Sequence, residues 1–310
     1  MRDYRRISSN VLLREEARRA VEALDRAGVP VLVLKGCALV GDILDMDERP
    51  ASDVDLLVRR RDWRALDSAL KRLGAVPHAH APRVLKQRLY HARSYVTPRG
   101  RVVDAHVALA DPWRWRVDVE GCFRRAAPFS LAGRRAYRLC AEDLLLHLAM
   151  NQAKDDYYVD RKAARDAEAV VETLAPSWED IVSRARSWGA TVALYLTLEH
   201  ARRRRTVPVP GWVMDALLPA PWRLRSLQAI VDLDRPRPYR FERHPRRLRQ
   251  LLVAPLSTDD PSFFPRRASA HLVVGAVDRL LEPAKLAIST LPRYPRAPEV
   301  TGTRTTDPNT

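Results

Sequence analysis

Apolar and polar positions along the chain fall into two textures that meet near residue 140. The first mixes helical and strand periods. Residues 10–27 place Val11, Leu12, Ala17, Val21 and Leu24 near a helical repeat with Glu15, Glu16 and arginines opposite, which predicts an amphipathic helix stopped by Gly28. Val31-Leu32-Val33-Leu34 is a short β-branched-rich run suited to a buried strand, closed by Lys35-Gly36. Residues 37–44 read as a short helix, and 45–52, charged and containing Pro50, as a loop. Asp53-Val54-Asp55-Leu56-Leu57-Val58 alternates at first and ends apolar, as a strand does that carries two side chains at its mouth and buries its far end. A helix over 61–73 capped by Gly74, a hairpin of 89–96 and 101–109 around Thr97-Pro98-Arg99-Gly100, and a last strand at 137–140 complete this half.

The second texture is helical throughout. Residues 142–154, 160–173, 178–188 and 190–205 carry helical periods with short polar breaks, and 212–218 and 222–233 continue in shorter helices. The Pro- and Arg-rich stretch 235–249 reads as irregular and 272–281 as one more helix; from Pro292 prolines and threonines without apolar period predict disorder. The expectation is an α+β fold: a mixed sheet with flanking helices over 1–140, a helical domain over 141–250, an extension over 251–291 and a tail over 292–310.

Composition narrows the class. With 46% hydrophobic and 30% charged residues, collagen-like, low-complexity and wholly disordered chains are excluded. Three cysteines without a pairing pattern argue against a disulfide framework or a cysteine zinc site. No signal peptide is read at the N-terminus, and apolar windows such as 29–34 and 272–277 are too short to span a bilayer, so a soluble, cytoplasmic protein with no membrane partner is expected. The net charge of +16 invites a polyanion partner. Six lysines against forty-eight arginines, however, read first as the codon bias of a GC-rich genome.

The chemistry concentrates between residues 31 and 106. Alternation puts Asp53 and Asp55 on one face of their strand, an arrangement that is costly unless a cation sits between the carboxylates. Oxygen ligands on a rigid strand suit Mg²⁺. Asp104, in Val103-Asp104-Ala105-His106, supplies a third carboxylate if its strand lies beside the first. Three carboxylates around two Mg²⁺ ions, with Mn²⁺ as a substitute, are the set in-line nucleotidyl transfer from an NTP requires. Gly36 leaves backbone N–H groups open to phosphate, Lys35 and Arg49 neutralise it, and Ser52 adds a hydroxyl.

Leu34-Lys35-Gly36, Arg49, Ser52-Asp53-Val54-Asp55-Leu56-Leu57-Val58 and Val103-Asp104-Ala105-His106 resemble the bacterial nucleotidyltransferase-like family of the polymerase-β superfamily. The similarity runs over roughly 10–175, including Glu142 to Leu148 and Arg165-Asp166. It implies a mixed sheet with flanking helices, a metal-dependent nucleotidyltransferase centre, and Asp53, Asp55 and Asp104 as metal ligands. The acceptor it leaves open: a small molecule, peptide or sugar. Lys35-Gly36 and Arg49 to Asp55 are more distantly similar to nucleotidyltransferase toxins of toxin–antitoxin systems, some of which modify tRNA. Ala105, Val107 and Asn151 depart from the family pattern.

Other residues have plainer readings. His106 is either a metal ligand or base, or a packed histidine near phosphate. His147 reads as a hydrogen-bonded core histidine and Asp166 as a structural partner of Arg165 or Arg161. The cluster 154–162 reads as a solvated turn, and Arg202 to Arg205 as a helix end that complements the dipole or, less simply, binds RNA. A non-catalytic nucleotide-binding protein and a simple polyanion binder remain as alternatives.

Overall fold

A computed structural model describes residues 3–78, 92–110, 112, 114–154, 162–205, 207–230, 253–260 and 262. The readings over 235–249, 272–281 and the tail from 292, and most of the 154–162 cluster, lie outside these residues.

The first helix, α1, spans Tyr4–Arg26, starting six residues before the position its apolar period suggests. Asp3 caps it by accepting a hydrogen bond from the Arg6 N–H at 3.0 Å. Asn10, inside this helix, is buried and turns inward to the loop at 46–51. Strand β1 (Val31–Leu34) runs directly into the short helix α2 (Lys35–Leu39). That helix is shifted from the expected 37–44 because Val40 is extended and bridges Leu44. Strand β2 (Asp53–Val58), helix α3 (Trp63–Arg72) and strand β3 (Val76–Pro77) follow.

Strands β4 (Ala92–Val96) and β5 (Val102–His106) form the expected antiparallel pair. Sequence reasoning missed helix α4 (Val119–Arg124) and strand β6 (Ala127–Leu131), which pairs with β7 (Arg134–Arg138) around Ala132-Gly133. The strand read at 137–140 is the end of β7, and it adds to β1 in parallel through Val33 and Arg138. The seven described strands make one mixed sheet in the order β3-β4-β5-β2-β1-β7-β6.

Alternation along β1 and β2 sorts the core into two layers. Val33, Val54, Leu56, Val58, Val103 and Ala105 pack with α1 and α3 on one face. Leu32, Leu34 and Leu57 point to the other and join the helical half. That half consists of α5 (Ala141–Lys154), α6 (Lys162–Leu174), α7 (Trp178–Trp188), α8 (Thr191–Arg205), α9 (Gly211–Leu217) and α10 (Pro221–Ile230). The change of texture at 140 therefore marks where strands give way to helices, while the apolar core continues across it.

Polar stitches fix the helices on one another. Asp143 of α5, fully buried, pairs with Arg125 at 2.9 Å and Arg184 of α7 at 3.0 Å. Segment 253–260 closes over the 189–191 turn, where Asp259 Oδ2 accepts from the Thr191 N–H at 2.9 Å. At the end of α8, Arg202 and Arg203 pair with Glu199, and Arg205 with Glu168. No described helix is long and apolar enough to cross a membrane.

Candidate active site

The register of the central strands brings the carboxylates together. β2 runs antiparallel to β1, with Leu34 opposite Asp55, and parallel to β5, with Asp55 opposite Asp104 and Leu57 opposite His106. Paired positions in a ladder share a face, so Asp53, Asp55, Asp104 and His106 lie on the side that the helical half covers.

Asp55 is almost fully buried and its Oδ1 has two partners: Lys35 Nζ at 2.6 Å and His106 Nε2 at 2.8 Å. Burial favours the neutral acid, but the His106 hydrogen bond and the Lys35 charge outweigh it and hold the carboxyl well below the usual range. Lys35 reaches Asp55 from a backbone position at φ 47°, a left-handed conformation that costs a non-glycine residue about 1 kcal/mol or more. Asp53 is half-buried and accepts from the Ser52 hydroxyl at 2.9 Å. Burial and then the neighbouring Asp55 charge raise its pKa. Asp104 Oδ1 is buried with no hydrogen-bond partner among the described residues.

That orphaned oxygen tests whether the residues fit a metal. Asp55, Asp104 and His106 each offer one ligand atom, all within 4.8 Å of one another. A buried carboxylate oxygen without a donor is costly by itself and is satisfied by a cation, so the pair of aspartates fits a hard divalent ion. His106 Nε2 is engaged with Asp55 and orients it. Asp53 lies outside this triplet, one alternation closer to the start of β2.

The residues read for phosphate have partners within the protein. Gly36 is buried, and a Cβ on it would lie 2.6 Å from Arg49 Nη1 and 2.8 Å from Ala51 Cβ. The missing side chain thus makes room for Arg49 and Ala51. Arg49 Nε donates to both oxygens of Asp166, at 2.8 and 2.9 Å. Asp166, expected to pair with a neighbour on its own helix, instead reaches this loop, while Arg165 pairs with Glu48.

His147 is buried as expected, but neither ring nitrogen has a hydrogen-bond partner among the described residues. Burial, and then the charges of Lys35 and His106, push its pKa down to about 3, which places it within electrostatic reach of the carboxylate cluster. Alternation gave the shared face of Asp104 and His106, but the His106–Asp55, Arg49–Asp166 and His147 environments depend on packing that no local pattern encodes.

Asp53 and Asp55 thus share one face of β2, and Asp55 alone of the two stands in register with Asp104 on β5, under a helical cover. The profile of a family described as uncharacterised nucleotidyltransferase matches residues 4–205. The chain belongs to this family, and it is an enzyme of the nucleotidyltransferase class. No curated protein matches it. Among solved structures, the antibiotic-resistance factor ANT(2'')-Ia in solution is 15% identical at TM-score 0.43, over 64% of this chain and 99% of that one. The crystal structure of ANT(2'')-Ia in complex with adenylyl-2''-tobramycin is 13% identical at TM-score 0.40, over 60% and 97%. An antigenic nucleotidyltransferase-like protein from Paracoccidioides brasiliensis is 16% identical at TM-score 0.36, over 67% and 91%.

Proposed function

We propose that the protein transfers a nucleoside monophosphate from an NTP to a hydroxyl of an acceptor, a small molecule, peptide or sugar, and releases pyrophosphate. The acceptor oxygen bonds to the α-phosphorus as the bond from that phosphorus to the bridging oxygen breaks. The electron pair leaves with pyrophosphate. The observation that supports this reading most is the orphaned buried oxygen of Asp104, in register with Asp55.

Asp55 and Asp104 would hold the divalent cation, and Asp53, more exposed, would bind it or a second ion. Bound Mg²⁺ or Mn²⁺ supplies Lewis acidity at the acceptor hydroxyl and at the triphosphate. His106 and Lys35 keep Asp55 ionised and aimed. Asp104, through the carboxylate oxygen that does not face the cation, accepts the acceptor proton. Arg49, over Gly36, and Lys35 neutralise the triphosphate, and the Ser52 hydroxyl orients Asp53.

The test is a panel of NTPs with Mg²⁺ or Mn²⁺, read by pyrophosphate release and by transfer of label to total RNA, protein or small-molecule fractions. Pyrophosphate release with label in the small-molecule or protein fraction supports the proposal. Label in RNA would replace the acceptor class, and NTP binding without pyrophosphate from any fraction would overturn transfer.

A further inference from the structure

The loop that carries Arg49 is held from two sides. From α1, Asn10 Nδ2 donates to the Met46 and Arg49 carbonyls at 2.7 and 2.8 Å, and its Oδ1 accepts from the Ala51 N–H at 3.0 Å. From α6, two successive residues grip two successive loop residues: Arg165 pairs with Glu48 and Asp166 with Arg49, each across 117 positions of sequence. An arginine side chain left to itself samples many rotamers and gives up roughly 2 kcal/mol of entropy when fixed. Here both Asp166 oxygens accept from Nε, and Nη1 donates to the Pro50 carbonyl at 3.3 Å. That fixes the plane of the guanidinium while leaving its outer nitrogens over Gly36, where Nη1 fills the space of the absent Cβ. Arg49 Nη1 therefore stands against the turn that also carries Lys35, whose ammonium touches Asp55.

We infer that Asp166 is a positioning residue: through Arg49 it sets the triphosphate side of the site, and so couples the helical half to nucleotide binding. The pair is nearly closed to water, with side-chain exposure of 13% for Arg49 and 4% for Asp166, so solvent does not substitute for the carboxylate. The opposite polarity of the adjacent Glu48–Arg165 pair fixes the register of loop on helix, because a slip by one residue would set like charges together. This inference rests on the reading of the site as an NTP site.

The experiment is a double-mutant cycle in the full chain: Asp166→Ala, Arg49→Ala and the two combined, with Asp166→Asn as the variant that preserves shape. Nucleotide Kd is measured by titration with Mg²⁺ and the NTP found in the panel, kcat and KM by pyrophosphate release, and folding by thermal unfolding. Asp166→Ala should weaken NTP binding and raise its KM roughly tenfold or more while changing kcat much less. On the Arg49→Ala background it should add nothing, because both changes remove one device. Additive losses, or a lowered unfolding temperature with unchanged Kd in the folded fraction, would overturn the inference. If Asp166→Ala does not fold, the same comparison is made with Asp166→Asn, where unchanged Kd overturns it. Absence of NTP binding by the unaltered protein would instead overturn the reading of the site, and this inference with it.

Discussion

His147 gives the structure a measurable pH dependence. Its imidazole is buried with both nitrogens unpartnered among the described residues, and burial with nearby Lys35 drives its pKa from 6.5 to about 3. Between these values the unfolded chain binds a proton that the folded chain refuses, so stability rises with pH across this window and falls as pH drops below 6.5. From pH 7 to pH 5 the linkage amounts to about 2 kcal/mol, at about 1.4 kcal/mol per unit of displaced titration. His147→Leu removes the titrating group and two orphaned nitrogens at little change in volume. Urea unfolding of both proteins at pH 7 and pH 5 should show that the variant loses about 2 kcal/mol less than the parent on acidification. Equal losses, within about 0.5 kcal/mol, would refute the buried neutral histidine.

Asp143→Ala leaves Arg125 and Arg184 facing a buried hole and should cost about 3 kcal/mol, read as a lowered urea midpoint at constant slope; a loss under about 1 kcal/mol would contradict the stitch. Gly36→Ala sets a Cβ 2.6 Å from Arg49 Nη1, so it should displace the guanidinium and weaken NTP binding in a titration; unchanged affinity would contradict the placement of Arg49.

The sequence announced what depends on local period. The β1 run ends as read, α7 spans Trp178–Trp188 as read, and the Asp53 to Val58 alternation sorts the carboxylates to one face and Val54, Leu56 and Val58 to the other. What escaped depends on context. The β6–β7 hairpin is short, contains Pro128 and turns at Ala132-Gly133, and only its pairing with β1 makes it part of the sheet. Asn10 carries no local signal of its role, because the loop it serves lies some forty residues away. Gly36 signals a close approach, and the structure identifies the approaching group as Arg49. Asp166 carries no signal of its own reach, because its partner lies 117 positions away.

Pyrophosphate release by Asp104→Asn tests most directly the proposed metal-dependent nucleotidyl transfer at Asp55 and Asp104. This change keeps the shape of a side chain whose Oδ1 has no partner among the described residues, so thermal unfolding should move little. With NTP, Mg²⁺ and the acceptor fraction supplied, release should fall at least about a hundredfold, because the change removes an ionised ligand and proton acceptor. Release by folded Asp104→Asn at the rate of the unaltered protein would contradict the proposal.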